Sequence, residues 1–228
     1  MNNFIKGILY ALSYFTILPV KLKHFEANKK FYKGVVYGVP LAGAILGIIT
    51  VLLYIVLPFP IIYKAIFVSI IYLFLYGFIH LEAVADTIDG YFASLSNKNI
   101  YDVMHEPQIG AIGAIGTFCF LLLKILAIGY LLYMEQYLFI IIVFILSRAS
   151  IFGALELEYH KKSKFIASLQ DSFKTNIIIK ILFLPINILT KFILNRIKKQ
   201  LGFLNGDTLG FNIELIELIL LNIGVLLC

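Results

Sequence analysis

Residues 138–146 read Leu-Phe-Ile-Ile-Ile-Val-Phe-Ile-Leu, nine apolar side chains in succession, and residues 41–57 are almost as unbroken. A barrel strand alternates lipid-facing with lumen-facing residues, and neither stretch alternates. A helix satisfies its own backbone hydrogen bonds and can present an all-apolar surface to lipid. These stretches therefore predict an all-α fold, a polytopic transmembrane helical bundle.

Outward from this core, apolar segments fall at roughly 2–20, 35–57, 61–81, 109–133, 137–157, 176–194 and 209–227. A span needs about 20 mostly apolar residues, so six to seven membrane segments are expected. The short connections leave residues 1–228 as one integral-membrane domain with the lipid bilayer as its surroundings. Composition agrees: 61% of residues are hydrophobic and 14% charged, against about half and a quarter in soluble domains. The segment near the N-terminus lacks a small-residue cleavage site before Lys21 and reads as retained. Cys119 and Cys228, the only cysteines, form neither a disulfide framework nor a zinc site.

The net charge of +6 is topological rather than a sign of nucleic-acid binding. Lys21, Lys23, Lys29, Lys30 and Lys33 face one acid, Glu26, and the stretch 159–174 holds Lys161, Lys162, Lys164 and Lys174. The positive-inside rule puts both on the cytoplasmic side. The short connections 58–60 and 134–136 contain no basic residue and suit the outer face, which leaves 82–108 cytoplasmic. Arg196, Lys198 and Lys199 would lie outside if 176–194 simply crossed. Pro185, Asn187, Lys180 and Lys191 interrupt that segment, so it is read as a re-entrant or interfacial hairpin returning to the cytoplasmic face.

Five of the thirteen acids, Glu82, Asp86, Asp89, Asp102 and Glu106, lie within residues 82–106, with Lys98 as the sole Lys or Arg among them. At 100° per residue, Glu82, Asp86 and Asp89 fall within about 60° of arc on a helix. Asp102 and Glu106 repeat the four-residue spacing. Carboxylates so arranged beside a membrane need a cation. Oxygen ligands without His or Cys select a hard ion, Mg²⁺ or Mn²⁺, of the kind that also binds substrate phosphates. The plainer alternative is a solvated acidic cap on a loop.

Lys124 and Arg148 sit at membrane depth, where a cation is costly. They can pair with the acid cluster or hold phosphate oxygens; snorkelling or a structural ion pair is the alternative. Gly110, Gly113 and Gly116 repeat every third residue, which permits either a close nucleotide approach or ordinary helix packing. Packing is the stronger reading for Gly43 and Gly47. Asp207 lies between Gly206 and Gly210 before the last segment, and is either part of a metal or substrate site or a helix N-cap. Glu214 and Glu217 predict an inward polar face in that segment. His80 points about 160° away from Glu82 on a helix, which favours a structural hydrogen bond over catalysis. His105 is left without a role.

The string DTIDGYFA over 86–93 matches the opening of the CDP-alcohol phosphotransferase motif, D-x-x-D-G-x-x-A. The match then fails: Ser94 stands where that family has Arg, and its second acidic pair would fall on Pro107 and Ala111. A different resemblance covers the chain. HLEAVADTIDG over 80–90 and VMHEPQIGAIG over 103–113 resemble the central HLDGLADTADG and I-M-K-D-S-R-I-G-x-x-G elements of the cobalamin synthase family, the adenosylcobinamide-GDP ribazoletransferases. ILPV over 17–20, PLAGAILG over 40–47, and NGDTLG over 205–210 with Glu214 match its flanking elements. Glu82, Ala83, Glu106, Gln108 and Asn205 depart from the pattern. The two glutamates keep a carboxylate, whereas Gln108 removes a positive charge.

The resemblance implies a Mg²⁺-dependent transferase of the bacterial cytoplasmic (inner) membrane, its active site facing the cytoplasm. It would join adenosylcobinamide-GDP to α-ribazole or its 5′-phosphate and release GMP. On that reading Glu82, Asp86 and Asp89 hold the metal, and Asp89 or Glu106 accepts the hydroxyl proton. Asp102, Lys124, Arg148, Asp207, Gly110 and Gly113 would contact substrate. Self-association into a homo-oligomer is left open. The competing classes are a CDP-alcohol phosphotransferase and an ion-coupled transporter. The latter would show midplane charges and a repeated topology, and no repeat is visible.

Overall fold

The computed structural model describes residues 2–20, 26–96, 99–106, 108–160, 163–174 and 176–228. Lys21, Lys23, Lys98, Pro107, Lys161 and Lys162, which enter the topological and motif readings, lie outside the described residues. Among the described residues every regular element is helical.

α1 (Asn3–Phe15) packs on the N-terminal part of α2 (Lys29–Val56). The chain turns at 57–60 and returns through α3 (Ile61–Leu75). Gly77 and Phe78, with φ of +66° and +55°, then break the apolar run expected to reach residue 81. The acid-bearing α4 (Leu81–Ser94) is thus a separate helix, followed by the short α5 (Ile100–Val103). α6 (Ala111–Tyr133) leads outward, and α7 (Tyr137–Ala149) continued by α8 (Ile151–Ala154) leads back. α9 (Lys164–Ser172), α10 (Ile177–Leu182) and α11 (Leu184–Leu201) precede the last helix, α12 (Gly206–Leu227).

Four helical stretches are long and apolar enough to cross a membrane: Lys29–Val56, Ala111–Tyr133, Tyr137–Ala154 and Gly206–Leu227; α3 is apolar but shorter. The expected count of six to seven is not reached, for three reasons, the first being the 15-residue length of α3, which the Gly77–Phe78 turn cuts short. The 13 residues of α1 rise only about 20 Å, short of a hydrocarbon core of about 30 Å. The 176–194 segment is divided at Phe183 between α10 and α11. Lys180 and Lys191 both bind Glu156, Lys198 reaches Glu158, and Gln200 donates to Ser94. Lys180 and Lys191 thus meet at one carboxylate, and the residues just beyond the segment are tied to Glu158 and to the end of α4.

Two apolar clusters hold the bundle together. One joins α1, α2, α8, α9, α11 and α12 around Val36, Val39, Phe152 and Leu194. The other joins α2, α3, α6, α7 and α12 around Leu46, Tyr72, Ile128 and Phe144. α2 and α7 touch backbone to backbone at Gly43, where an added Cβ would fall 2.7 Å from Arg148 Cδ and into the Phe144 carbonyl. The packing reading of Gly43 holds. On the outside, Ile115, Phe118, Leu122 and Leu126 of α6 are exposed, a stripe suited to lipid.

Candidate active site

The acids on α4 share one face, as their spacing predicts, and that face points to the end of the bundle where α5, α6 and α12 begin. Glu82 is exposed, while Asp86 and Asp89 are partly buried. Asp89 reaches across to α6: its Oδ2 accepts the Gly110 N–H and its Oδ1 the Gly113 N–H, both at 2.8 Å. The first amides of a helix lack partners within it and carry its positive dipole end, so an anion placed there is stabilised. Gly113 is required for this approach, because a Cβ there would run into the Asp89 carboxylate and lie 2.9 Å from the Ala85 carbonyl. Gly113→Ala should therefore push α6 off Asp89 and cost about 1–3 kcal/mol in stability, together with most of the activity. Denaturant unfolding and turnover of the one variant check both effects.

Asp89, Asp102, Glu106, Gln108 and Gly110 line an open cleft of about 800 Å³ between α4, α5 and the start of α6. Asp102 is held by Asn99, whose Nδ2 donates to Oδ2 at 2.6 Å. Gln108 stands in the cleft where the related pattern has Arg. Asp207 comes from the start of α12 and lies beside His80 and Gly206 in a smaller cavity of about 170 Å³. The helix cap there is Asn205, not Asp207: Asn205 accepts the Thr208 N–H at 3.0 Å, and the Thr208 hydroxyl accepts the Asn205 N–H at 2.9 Å. Asn205 also donates to Asp207 Oδ2 at 2.7 Å. Asp207 is thereby aimed rather than consumed as a cap.

Partial burial together with the charges of Asp207, Glu82 and Asp89 pushes the Asp86 carboxyl up to about 7, and His105 opposes this. Two elements, α4 and α12, thus converge their negative charge on Asp86. Among the described residues no Lys or Arg forms an ion pair with Glu82, Asp86, Asp89, Asp102, Glu106 or Asp207. His105, left without a role by the sequence reading, is a basic side chain near Asp86 and Asp207. Its Nδ1 lies 2.7 Å from the Tyr101 carbonyl oxygen and its ring stacks on Tyr101 at 4.1 Å. The signal for it was its position one residue before Glu106, which lines the cleft.

The all-oxygen donor set fits a hard cation, yet among the described residues no three His, Cys, Asp or Glu side chains close on a point to hold one unaided. That pattern suits Mg²⁺, which is commonly held by one or two carboxylates and completed by substrate phosphates and water.

Lys124 and Arg148 do not join this cluster. Lys124 Nζ lies 2.5 Å from Glu214 Oε2 and 2.7 Å from Glu217 Oε1, and Arg148 Nη1 lies 2.5 Å from Glu217 Oε2. Tyr72 donates to Glu217 Oε1 at 2.6 Å and accepts from Arg148 Nη2 at 3.0 Å. All four charged side chains are fully buried and their formal charges cancel. The ion-pair alternative is the one realised, and the inward polar face expected of Glu214 and Glu217 is its other half. His80 Nδ1 stands 3.4 Å from Glu214 Oε1, a contact between this buried quartet and the residue that precedes α4. The quartet thus braces the helix that carries the acids.

The fold and site define a polytopic helical membrane protein with a carboxylate-lined cleft at one end of its bundle. The chain belongs to the cobalamin-5-phosphate synthase family, whose sequence model matches residues 7–225. It is 33% identical to the adenosylcobinamide-GDP ribazoletransferase of Treponema denticola, over 95% of this chain and 96% of that protein. The proteins of the same name from Alkaliphilus oremlandii and Clostridium tetani are 28% and 25% identical, each over more than nine-tenths of both chains. No solved structure matches it.

Proposed function

We propose that this protein joins adenosylcobinamide-GDP to α-ribazole or its 5′-phosphate, releasing GMP and forming adenosylcobalamin or its phosphate. A ribose hydroxyl oxygen forms the new bond to the cobinamide-bound phosphorus, and the phosphoanhydride bond to GMP breaks. The observation that carries this reading is the gathering of acids at one end of the bundle, Asp89 of α4 with Asp102 of α5 and Glu106 along one cleft and Asp207 of α12 beside Asp86, with no Lys or Arg paired to them among the described residues. A bound Mg²⁺ would neutralise the diphosphate and align its oxygens. Asp86 and Glu82 would hold it, with the charge of Asp207 nearby and substrate phosphates completing the shell. Asp89 accepts one α6 amide on each oxygen, which fixes the cleft wall and supplies charge there, and each oxygen keeps a further lone pair for the metal. Glu106, exposed in the same cleft, is the residue assigned as acceptor of the hydroxyl proton.

Lysines 29, 30 and 33 open α2, and Lys164, Lys180, Lys191 and Lys198 lie at the same end of the bundle as the acids. The positive-inside rule therefore supports a cytoplasmic cleft in the bacterial inner membrane. The test is to supply the purified protein in lipid discs with adenosylcobinamide-GDP, Mg²⁺ and either α-ribazole or its phosphate, and to separate the products. A cobamide and GMP in equal amounts are expected. No product from either acceptor, with CMP released from a CDP-alcohol instead, would move the assignment to the phospholipid-forming enzymes.

A further inference from the structure

On another face of α4 lies a cavity of opposite character. Thr87 and Tyr91 of α4, with Arg196, Lys199, Gln200 and Leu201 of α11, line a space of about 360 Å³. No carboxylate lines it. Thr87 is 4% exposed, and its hydroxyl has no hydrogen-bond partner among the described residues. A helical threonine commonly returns its hydroxyl to the carbonyl four residues back, as Thr50 does to Leu46 at 2.7 Å. Thr87 does not, so a buried hydroxyl without a partner among the described residues stands in the wall of a cavity lined by two cations.

Arg196 and Lys199 are exposed and meet no acid among the described residues; the Arg196 guanidinium lies over the Phe192 ring at 5.2 Å. Gln200 Nε2 donates to Ser94 Oγ at 2.7 Å, which ties α11 to the end of α4 beside the cavity. Leu184, Ile188 and Phe192, spaced four apart, are 51%, 60% and 58% exposed. A helix with such an apolar stripe and a basic remainder lies at the headgroup level of a membrane. An anion met there by a guanidinium, an ammonium and a hydroxyl is best a phosphate.

We infer that the cavity between α4 and α11 is a phosphate-ester site, in which Arg196 and Lys199 hold the charge and the Thr87 hydroxyl donates to a phosphate oxygen. The ester can be an anionic phospholipid headgroup or the phosphate monoester of a soluble ligand arriving from the same side. The full-length protein, purified in phosphatidylcholine discs, is tested with phosphatidylglycerol by native mass spectrometry and with α-ribazole 5′-phosphate by calorimetry. Arg196→Gln/Lys199→Gln and the shape-conserving Thr87→Val are the comparison proteins, with thermal unfolding as the check on folding. Loss of charge-assisted contacts should weaken binding of one probe by about tenfold or more. Phosphatidylglycerol lost in both variants with the soluble monoester unaffected identifies the lipid source, and the converse identifies the soluble one. Neither probe bound by the unmodified protein, or binding equal in all three folded proteins, would overturn the site. These readouts need no turnover, so they stand or fall apart from the transferase reading.

Discussion

Asp89→Asn should lower turnover by about 10²- to 10⁴-fold, the range expected for a group that orders and charges a reaction site, while the protein still inserts and purifies. Asp89 is the point at which α4 and α6 meet, through the Gly110 and Gly113 amides. Asparagine has one acceptor oxygen, so its amide nitrogen would be turned against one of those N–H groups. The wall of the cleft then shifts and the local negative charge is lost together. Asp86→Ala should fall as far by a different route, because it removes the carboxylate on which Glu82, Asp89 and Asp207 converge. Assay in lipid discs, with circular dichroism as the check on folding, reads both. Full activity in both variants would remove the cleft as the reaction site.

Glu217→Gln should destabilise the bundle by about 3–5 kcal/mol, since breaking a buried pair leaves uncompensated charge in low dielectric. Arg148 and Lys124 both lean on Glu217, and neither has water to turn to. Removing both partners behaves differently. In Glu217→Gln/Arg148→Met the remaining Lys124–Glu214 pair is neutral, and most of the lost stability should return. Equilibrium unfolding in mixed micelles measures the cycle. Additive losses in the double variant would mean that Arg148 and Glu217 are not coupled as their 2.5 Å contact requires.

The acids of α4 were legible because three carboxylates at i, i+4 and i+7 can share a face on a helix, and a helix is what forms there. The glycine packing at Gly43 was legible for the same reason of periodicity. Depth and partner choice were not. Lys124 and Arg148 read correctly as buried cations, but spacing along the chain gives no sign that α12 brings Glu214 and Glu217 to meet them. Asn205 took the capping role open to Asp207 because its side chain sits at the residue before the helix, a matter of two positions that sequence leaves loose. Hydropathy overcounted the spans where an apolar run was broken by geometry. The run through 61–81 ends at the Gly77–Phe78 turn, and the run through 176–194 breaks at Phe183. His105 carried no pattern of its own and became visible only once the fold set its charge against Asp86 and Asp207.

The most direct test of the carboxylate cleft uses Mn²⁺ as a magnetic reporter on the purified protein in lipid discs, with adenosylcobinamide-GDP added or withheld. Weak binding of Mn²⁺ alone, tightened when the diphosphate is present and lost in Asp86→Ala, is expected of acids that hold a cation jointly with substrate phosphates. Mn²⁺ binding that ignores the diphosphate, or that survives unchanged in Asp86→Ala, would contradict the placement of the reaction at this end of the bundle.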